Sequence, residues 1–274
     1  MSDQTRRSTG WQLDRSAPEA YERYLVPAIF VPWAERLVDR ADVGNGDRVL
    51  DVACGTGVVA RHAAARVGDA GSVVGLDVNE GMLEVAARTA AEAQLEIEWR
   101  AGDATELPFS GGGFDAVCCQ QALQFVDDPT AALEEMGRVC GSDGCVVISV
   151  WRPLEHQPGY VVLAEALERH VGEDAGAMMR SPFPAWHEEE LRTFARDAGF
   201  GEVSVAIEIG SVRYPSAEEF VRREAASSPL AEPISGVGRN VRDALVSAVE
   251  DGLEAYTDDD GIVFPIESFV LTLR

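Results

Sequence analysis

Three aspartates stand at similar intervals in the first half of the chain, each at or near the end of a short apolar run. The runs are Val49-Leu50-Asp51-Val52-Ala53-Cys54-Gly55-Thr56-Gly57, then Val74-Gly75-Leu76-Asp77, then the strand that precedes Gly102-Asp103-Ala104. An ionised carboxylate only accepts hydrogen bonds, so Asp77 can take both hydroxyl protons of a ribose and Asp103 can accept from an exocyclic amine. A backbone N–H near Ala104 can reach a ring nitrogen. Together these groups describe recognition of adenosine. Gly55 and Gly57 let the backbone turn sharply and come close to a ligand.

Groups spread this far apart meet only if strands end at one edge and helices return the chain. Asp47 to Ala53 reads as a short apolar strand, Val58 to Arg66 as a helix, Gly71 to Val78 as the second strand and Gly81 to Gln94 as the second helix. Leu95 to Ala101 alternates and reads as a third strand. Gly113 to Gln120 is a fourth, Thr130 to Val139 a helix and Gly144 to Trp151 a fifth strand. This alternation implies an α/β fold with a doubly wound, Rossmann-like sheet, whose ligands bind beyond the carboxyl ends of the strands. Upstream, Tyr21 to Ala41 carries a helical apolar pattern interrupted by Pro27 and Pro32. Downstream the rhythm changes. Arg152 to His187 holds one helix, Gly159 to Val171. Glu188 to Ala198 is a helix stopped by Gly199, and Gly201 to Ile209 a sixth strand. Ser216 to Ser227 and Asn240 to Tyr256 read as helices, and Ile266 to Leu273 as the last strand.

The turn Gly55-x-Gly57-x-x-Ala60 also satisfies the dinucleotide pattern, so an NAD-dependent oxidoreductase is a rival reading. Asp51 speaks against it, because a carboxylate near the strand exit repels pyrophosphate and suits a cation. Asp103-Ala104 has no role in that pattern either. S-adenosylmethionine carries an ammonium and a sulfonium and no phosphate, and fits the acidic arrangement better.

Net charge is −24, and all 23 basic residues are arginine against 47 acidic ones. So many carboxylates keep a protein hydrated when salt screens their repulsion, which implies a halophilic source and stability that rises in molar KCl. A chain this acidic is a poor partner for nucleic acid. No apolar run is long enough for stable insertion in a bilayer, and the polar stretch Met1 to Ser16 does not read as a signal peptide, so the expected location is cytoplasmic. Cys54, Cys118, Cys119, Cys140 and Cys145 have no zinc-site spacing; they read as reduced thiols, and no metal is expected.

The quoted runs, with Gly102-Asp103-Ala104-x-x-Leu107-Pro108-Phe109 and Phe114-Asp115-Ala116-Val117, resemble class I S-adenosylmethionine-dependent methyltransferases. Cys119-Gln120-Gln121-Ala122-Leu123-Gln124-Phe125, Val150-Trp151-Arg152, Ala198-Gly199-Phe200 and Tyr214-Pro215-Ser216-x-x-Glu219-Phe220 are similar to the methyltransferase type 11 subgroup of ubiquinone and menaquinone biosynthesis. The resemblance implies a seven-stranded sheet with the last strand antiparallel. It implies that Asp51, Ala53, Gly55, Thr56 and Gly57 hold the methionine part, with the Gln120 carbonyl facing its ammonium. Asp77 would hold the ribose, Val78 and Met82 would pack on the adenine, and Asp103 and Ala104 would bond its edge. The family often has a plain hairpin between its last two strands; here a long insert separates Ile209 from Ile266.

The resulting division is an N-terminal helical cap segment (1–45), a cofactor-binding core (46–151), a cap insertion (152–187), a core continuation (188–210), a second helical cap insertion (211–262) and a final core strand (263–274). Tyr21, Tyr24, Gln121, Phe125 and Trp151 are candidates to line a pocket for a small apolar or aromatic, quinone-like acceptor, with packing as the alternative for the four aromatic residues. If the acceptor is a hydroxyl a base is needed, and His156 or His187 is the first to test. Asp115, at the entry end of its strand, reads as structural and His62 as a surface helix residue. A non-catalytic S-adenosylmethionine-binding protein on the same fold is the second rival. A nucleic-acid methyltransferase is the third, disfavoured by the charge and by Gln120-Gln121-Ala122-Leu123 where an Asn/Asp-Pro-Pro-aromatic motif would stand. A homodimer is compatible with all of these.

Overall fold

The computed structural model describes residues 17–274. Its strands are β1 (Arg48–Val52), β2 (Ser72–Asp77), β3 (Glu98–Ala101), β4 (Phe114–Gln120), β5 (Cys140–Trp151), β6 (Val203–Tyr214), β7 (Thr257–Asp258) and β8 (Gly261–Leu273). One sheet runs in the order β3-β2-β1-β4-β5-β8-β6, with the two-residue β7 pairing only the start of β8. The first five pair in parallel, and β8 lies antiparallel between β5 and β6. The seven-stranded sheet with an antiparallel last strand is therefore as the sequence implies. β1 and β4 are buried on both faces and read as continuous apolar runs, as central parallel strands do. Val59, Ala63, Leu37 and Val38 cover one face of the sheet; Leu133, Met136, Leu191 and Ala195 cover the other.

Three differences from the sequence reading have physical causes. The chain from Tyr21 to Phe30 is wound as a π-helix: the Val31 N–H donates to the Val26 carbonyl, one residue further back than in an α-helix. Pro27 sits inside that looser segment, and Pro32 stands at the start of the next helix, Val31–Arg40, where its missing N–H costs nothing. The sixth and last strands are each five residues longer at the insert end than expected. Their pairing runs on from Ile209↔Glu267 to Tyr214↔Ile262, so the insert begins after Tyr214 and ends before Gly261. Pro265 is tolerated there because β5 pairs with β8 only from Ser268 onward, leaving that edge of β8 free at Pro265. Finally, two short helices escaped the periodicity, Glu173–Arg180 and Ala231–Gly236; the first spans only eight residues and the second contains Pro233.

The helices Pro158–His170, Glu173–Arg180, Ala217–Ala226 and Arg239–Gly252 pack on one another at the carboxyl edge of the sheet. Their apolar residues Leu163, Leu167, Phe220, Leu245 and Val249 merge with Phe264 and Ile266 of β8 into the same core as one sheet face. Gln157, fully buried, staples the start of this group to β8: its Nε2 donates to the Arg152 and Glu267 carbonyls, and its Oε1 accepts the Glu267 N–H. Of the expected N-terminal segment, residues 1–16 lie outside the described residues.

Candidate active site

A cavity of about 990 Å³ opens beyond the carboxyl ends of β1, β2 and β4. One end is acidic. β1 carries Asp51 to that edge, where its Oδ2 accepts the Ala60 N–H at 2.9 Å from the first turn of the helix Val58–Val67. Asp51 is 1% exposed, and burial pushes its carboxyl up to about 8, with the neighbouring Asp77 adding to the rise and the Ala60 bond opposing it. Asp77 closes β2; its Oδ2 accepts the Gly55 N–H and its Oδ1 the Asn79 N–H, both at 2.8 Å. Burial likewise raises Asp77. The aspartate thus holds the glycine turn in shape while keeping lone pairs for a ligand. Two non-glycine residues here adopt left-handed backbone, Ala53 after β1 and Gln121 after β4, and both line the cavity. Backbone held in this sparsely populated region clusters at binding sites.

The other end is aromatic. Tyr21, Leu25, Ile29 and Phe30 of the π-helical segment form one wall. Trp151, at the end of β5, packs edge-on against Trp33 and at a tilt against Phe30 and Phe183. Within this wall lies one carboxylate, Glu224, 2% exposed. Its Oε1 accepts the Tyr160 phenol at 3.0 Å and the Tyr214 phenol at 2.9 Å. Burial pushes Glu224 up to about 7 against the lowering effect of both phenols. Among the described residues that line the cavity, none is an arginine or a histidine.

The cavity brings together Asp51, Ala53, Gly55, Asp77, Val78, Met82, Asp103 and Gln120 from the expected cofactor set, and Tyr21, Gln121, Phe125 and Trp151 from the acceptor set. Val78 is 66% exposed at its mouth, open to a planar ligand. Asp103 holds its loop by accepting the Thr105 N–H and hydroxyl at 2.8 Å each. Gln120 donates to the Phe30 carbonyl and Gln121 to the Ser268 hydroxyl, which ties the ends of β4 and β8 to the wall.

Other expected residues lie elsewhere. Gly57 turns away: a Cβ there would stand 2.3 Å from the Trp99 ring, so its role is close packing of helix against strand. Thr56 is buried and Ala104 packs into the core, neither lining the cavity. Tyr24 faces outward and stacks under the Arg222 guanidinium at 4.8 Å. His156 meets Arg152 at 3.0 Å, beside the Arg152–Glu267 ion pair. His187 begins the helix Glu188–Asp197, its N–H donating to Glu190 at 3.0 Å. Neither histidine reaches the cavity wall. Asp115 accepts the Arg48 N–H at 2.8 Å, a structural bond at the entry end of the sheet, as expected.

Glu224 was missed, and one signal was available. On the helix Ala217–Ala226 the buried positions are Ala217, Phe220, Val221, Glu224 and Ala225. Glu224 is the charge that falls on this apolar stripe, hidden in sequence by the adjacent Arg222 and Arg223.

Residues 49–144 match a family described as "Methyltransferase domain". The demethylmenaquinone methyltransferase of Renibacterium salmoninarum is 35% identical over 183 residues, covering 63% of this chain and 74% of the relative. The nocamycin O-methyltransferase of Saccharothrix syringae is 34% identical over 205 residues, covering 70% and 72%. The 2-phytyl-1,4-naphtoquinone methyltransferase of Synechocystis sp. is 32% identical over 196 residues, covering 68% and 79%. In fold the chain is similar to phosphoethanolamine N-methyltransferase 2 of Haemonchus contortus in complex with S-adenosyl-L-methionine (TM-score 0.60, 20% identity, 95% of this chain and 57% of that one). It is also similar to a SAM-dependent methyltransferase of Aquifex aeolicus (TM-score 0.52, 20% identity, 73% and 94%).

Proposed function

The chain belongs to the class I S-adenosylmethionine-dependent methyltransferases, and we propose that it methylates a small, flat, apolar acceptor of the quinol or phenol class. The observation that carries this reading is one cavity with a carboxylate-lined end and an aromatic end, and no cation in its described lining. That lining suits a donor bearing an ammonium and a sulfonium. It holds no arginine to pair with the phosphate of a phosphorylated acceptor, and so disfavours one. Relatives named for naphthoquinone substrates point the same way.

In this reading Asp77 binds the ribose, Asp103 the adenine edge and Asp51 the cationic methionine part, with Val78 and Met82 against the adenine. When bound, S-adenosylmethionine supplies an already activated methyl group. The protein's own residues then have to orient and desolvate. Trp151, Phe183 and Phe125 hold the acceptor flat, and the segments 17–45, 152–187 and 215–260 act as a cap that excludes water.

Calorimetric titration with S-adenosylmethionine, S-adenosylhomocysteine and NAD tests the donor end. Binding of the first two without NAD is expected, and NAD binding alone would overturn it. Release of S-adenosylhomocysteine with a reduced naphthoquinone, but not with phosphoethanolamine, tests the acceptor class.

A further inference from the structure

We propose that Glu224 receives the acceptor's O–H and takes its proton, so that the reaction at this site is methylation of a phenolic or enolic oxygen. The inference rests on the methyl-transfer reading above and sharpens it. Glu224 stands in the cavity wall beside Tyr160 and among the aromatic residues Trp151 and Phe183. Both phenols, Tyr160 and Tyr214, bond to Oε1, and Oε2 receives neither. The two phenols fix the carboxyl's rotamer through Oε1 and leave Oε2 as an acceptor at the aromatic end of the cavity.

A buried carboxyl kept near neutrality is a weak counter-ion but a good proton acceptor at physiological pH. Tyr160, from the helix Pro158–His170, and Tyr214, from β6, are the titratable groups that act on it; Arg223, next in the chain, turns instead to Glu219 at 2.8 Å. The acceptor oxygen forms a bond to the methyl carbon as the carbon–sulfur bond breaks, and that electron pair stays on sulfur. The O–H proton passes to Oε2, and from Glu224 to solvent when product leaves.

Among the described residues that line this end of the cavity none is a histidine, so Glu224 is the group placed to act where the sequence suggested His156 or His187.

The test is binding of 2-naphthol, 2-methoxynaphthalene and 1-(aminomethyl)naphthalene to the full chain, both alone and loaded with S-adenosylhomocysteine. The unmodified protein should prefer 2-naphthol to its methyl ether by about tenfold or more, the value of a hydrogen bond to a charged group. Glu224→Gln should reduce that preference to about twofold or less, because the amide keeps an Oε1 acceptor for the phenols but cannot offer a carboxylate. In the unmodified protein the preference should also weaken as pH falls from 8.5 to 5.5, a readout that needs no variant. Equal binding of naphthol and ether, no binding of either, an unchanged preference in Glu224→Gln, or tighter binding of the amine would each overturn the proposal. Because the titrations are also run without S-adenosylhomocysteine, failure to bind that molecule counts against the donor reading and leaves the result for Glu224 separate.

Discussion

The two ends of the cavity are built differently. At the acidic end, Asp51, Ala53, Gly55 and Asp77 lie within 27 positions of one another and are held by backbone N–H groups of their own strand–turn–helix units. At the aromatic end, Tyr21, Trp151, Tyr160, Glu224 and Ile266 come from five separate elements, and side chains hold side chains. The first arrangement is specified by local chain geometry and tolerates little change. The second is set by how the cap helices settle on β6 and β8, and can vary with the acceptor while the donor end stays fixed. This matches general experience that folds are reused with sites regrafted upon them.

The sharpest way to break the comparison is at Asp77. Asp77→Ala should weaken S-adenosylhomocysteine binding by about 100-fold, since it removes a charged acceptor and loosens the glycine turn, and calorimetry reads this directly. Near-normal affinity would mean that the acidic end does not hold the ribose. Gly57→Ala attacks the same end through packing rather than ligand contact. With φ at +81° and Trp99 at 2.3 Å from the added carbon, it should cost roughly 2–3 kcal/mol in denaturant unfolding.

At the aromatic end the expected sign is opposite. Glu224 is raised to about 7 by burial, so the folded state keeps a proton that the unfolded chain releases at its ordinary carboxylate pKa. The stability tied to that proton is complete below the unfolded pKa and is lost as pH rises through about 7. Glu224→Gln should therefore match the unmodified protein near pH 4 and exceed it by roughly 1–3 kcal/mol at pH 8. A variant less stable at pH 8 would place the carboxylate's value in the fold instead of the site. The smallest effects belong to the histidines. His156→Ala and His187→Ala should leave turnover within about a factor of two, and a larger loss in kcat would bring one of them back to the acceptor end.

The donor end was legible because its signals are local. A strand of five residues, a glycine turn and an acidic strand end are each visible within a dozen positions, and the intervals between them follow from strand and helix lengths. Even there, the sequence alone could not separate Gly55, which opens on the cavity, from Gly57, which admits Trp99. That distinction depends on β3, whose tryptophan reaches across from outside the motif. Tyr24 and Tyr21 show the same limit. They differ by three positions in a π-helical segment, and only its looser winding decides which of them faces the cavity and which faces Arg222.

By itself the sequence determined the alternation of strands and helices and the three aspartates at the strand ends, and its resemblance to class I methyltransferases supplied the donor class and the antiparallel last strand, while the order of the strands came from the structure. The alternation and the aspartates follow from hydrophobic periodicity and from the rule that ligands of such sheets bind beyond the strand ends. The tertiary structure alone decided that β6 and β8 run on past Ile209 and Ile266, that both histidines stay outside the cavity, and that Glu224 enters it between two tyrosines. The reason is physical: a side chain's burial and partners depend on contacts between segments 64 and 10 positions apart, and no local pattern encodes where such segments meet.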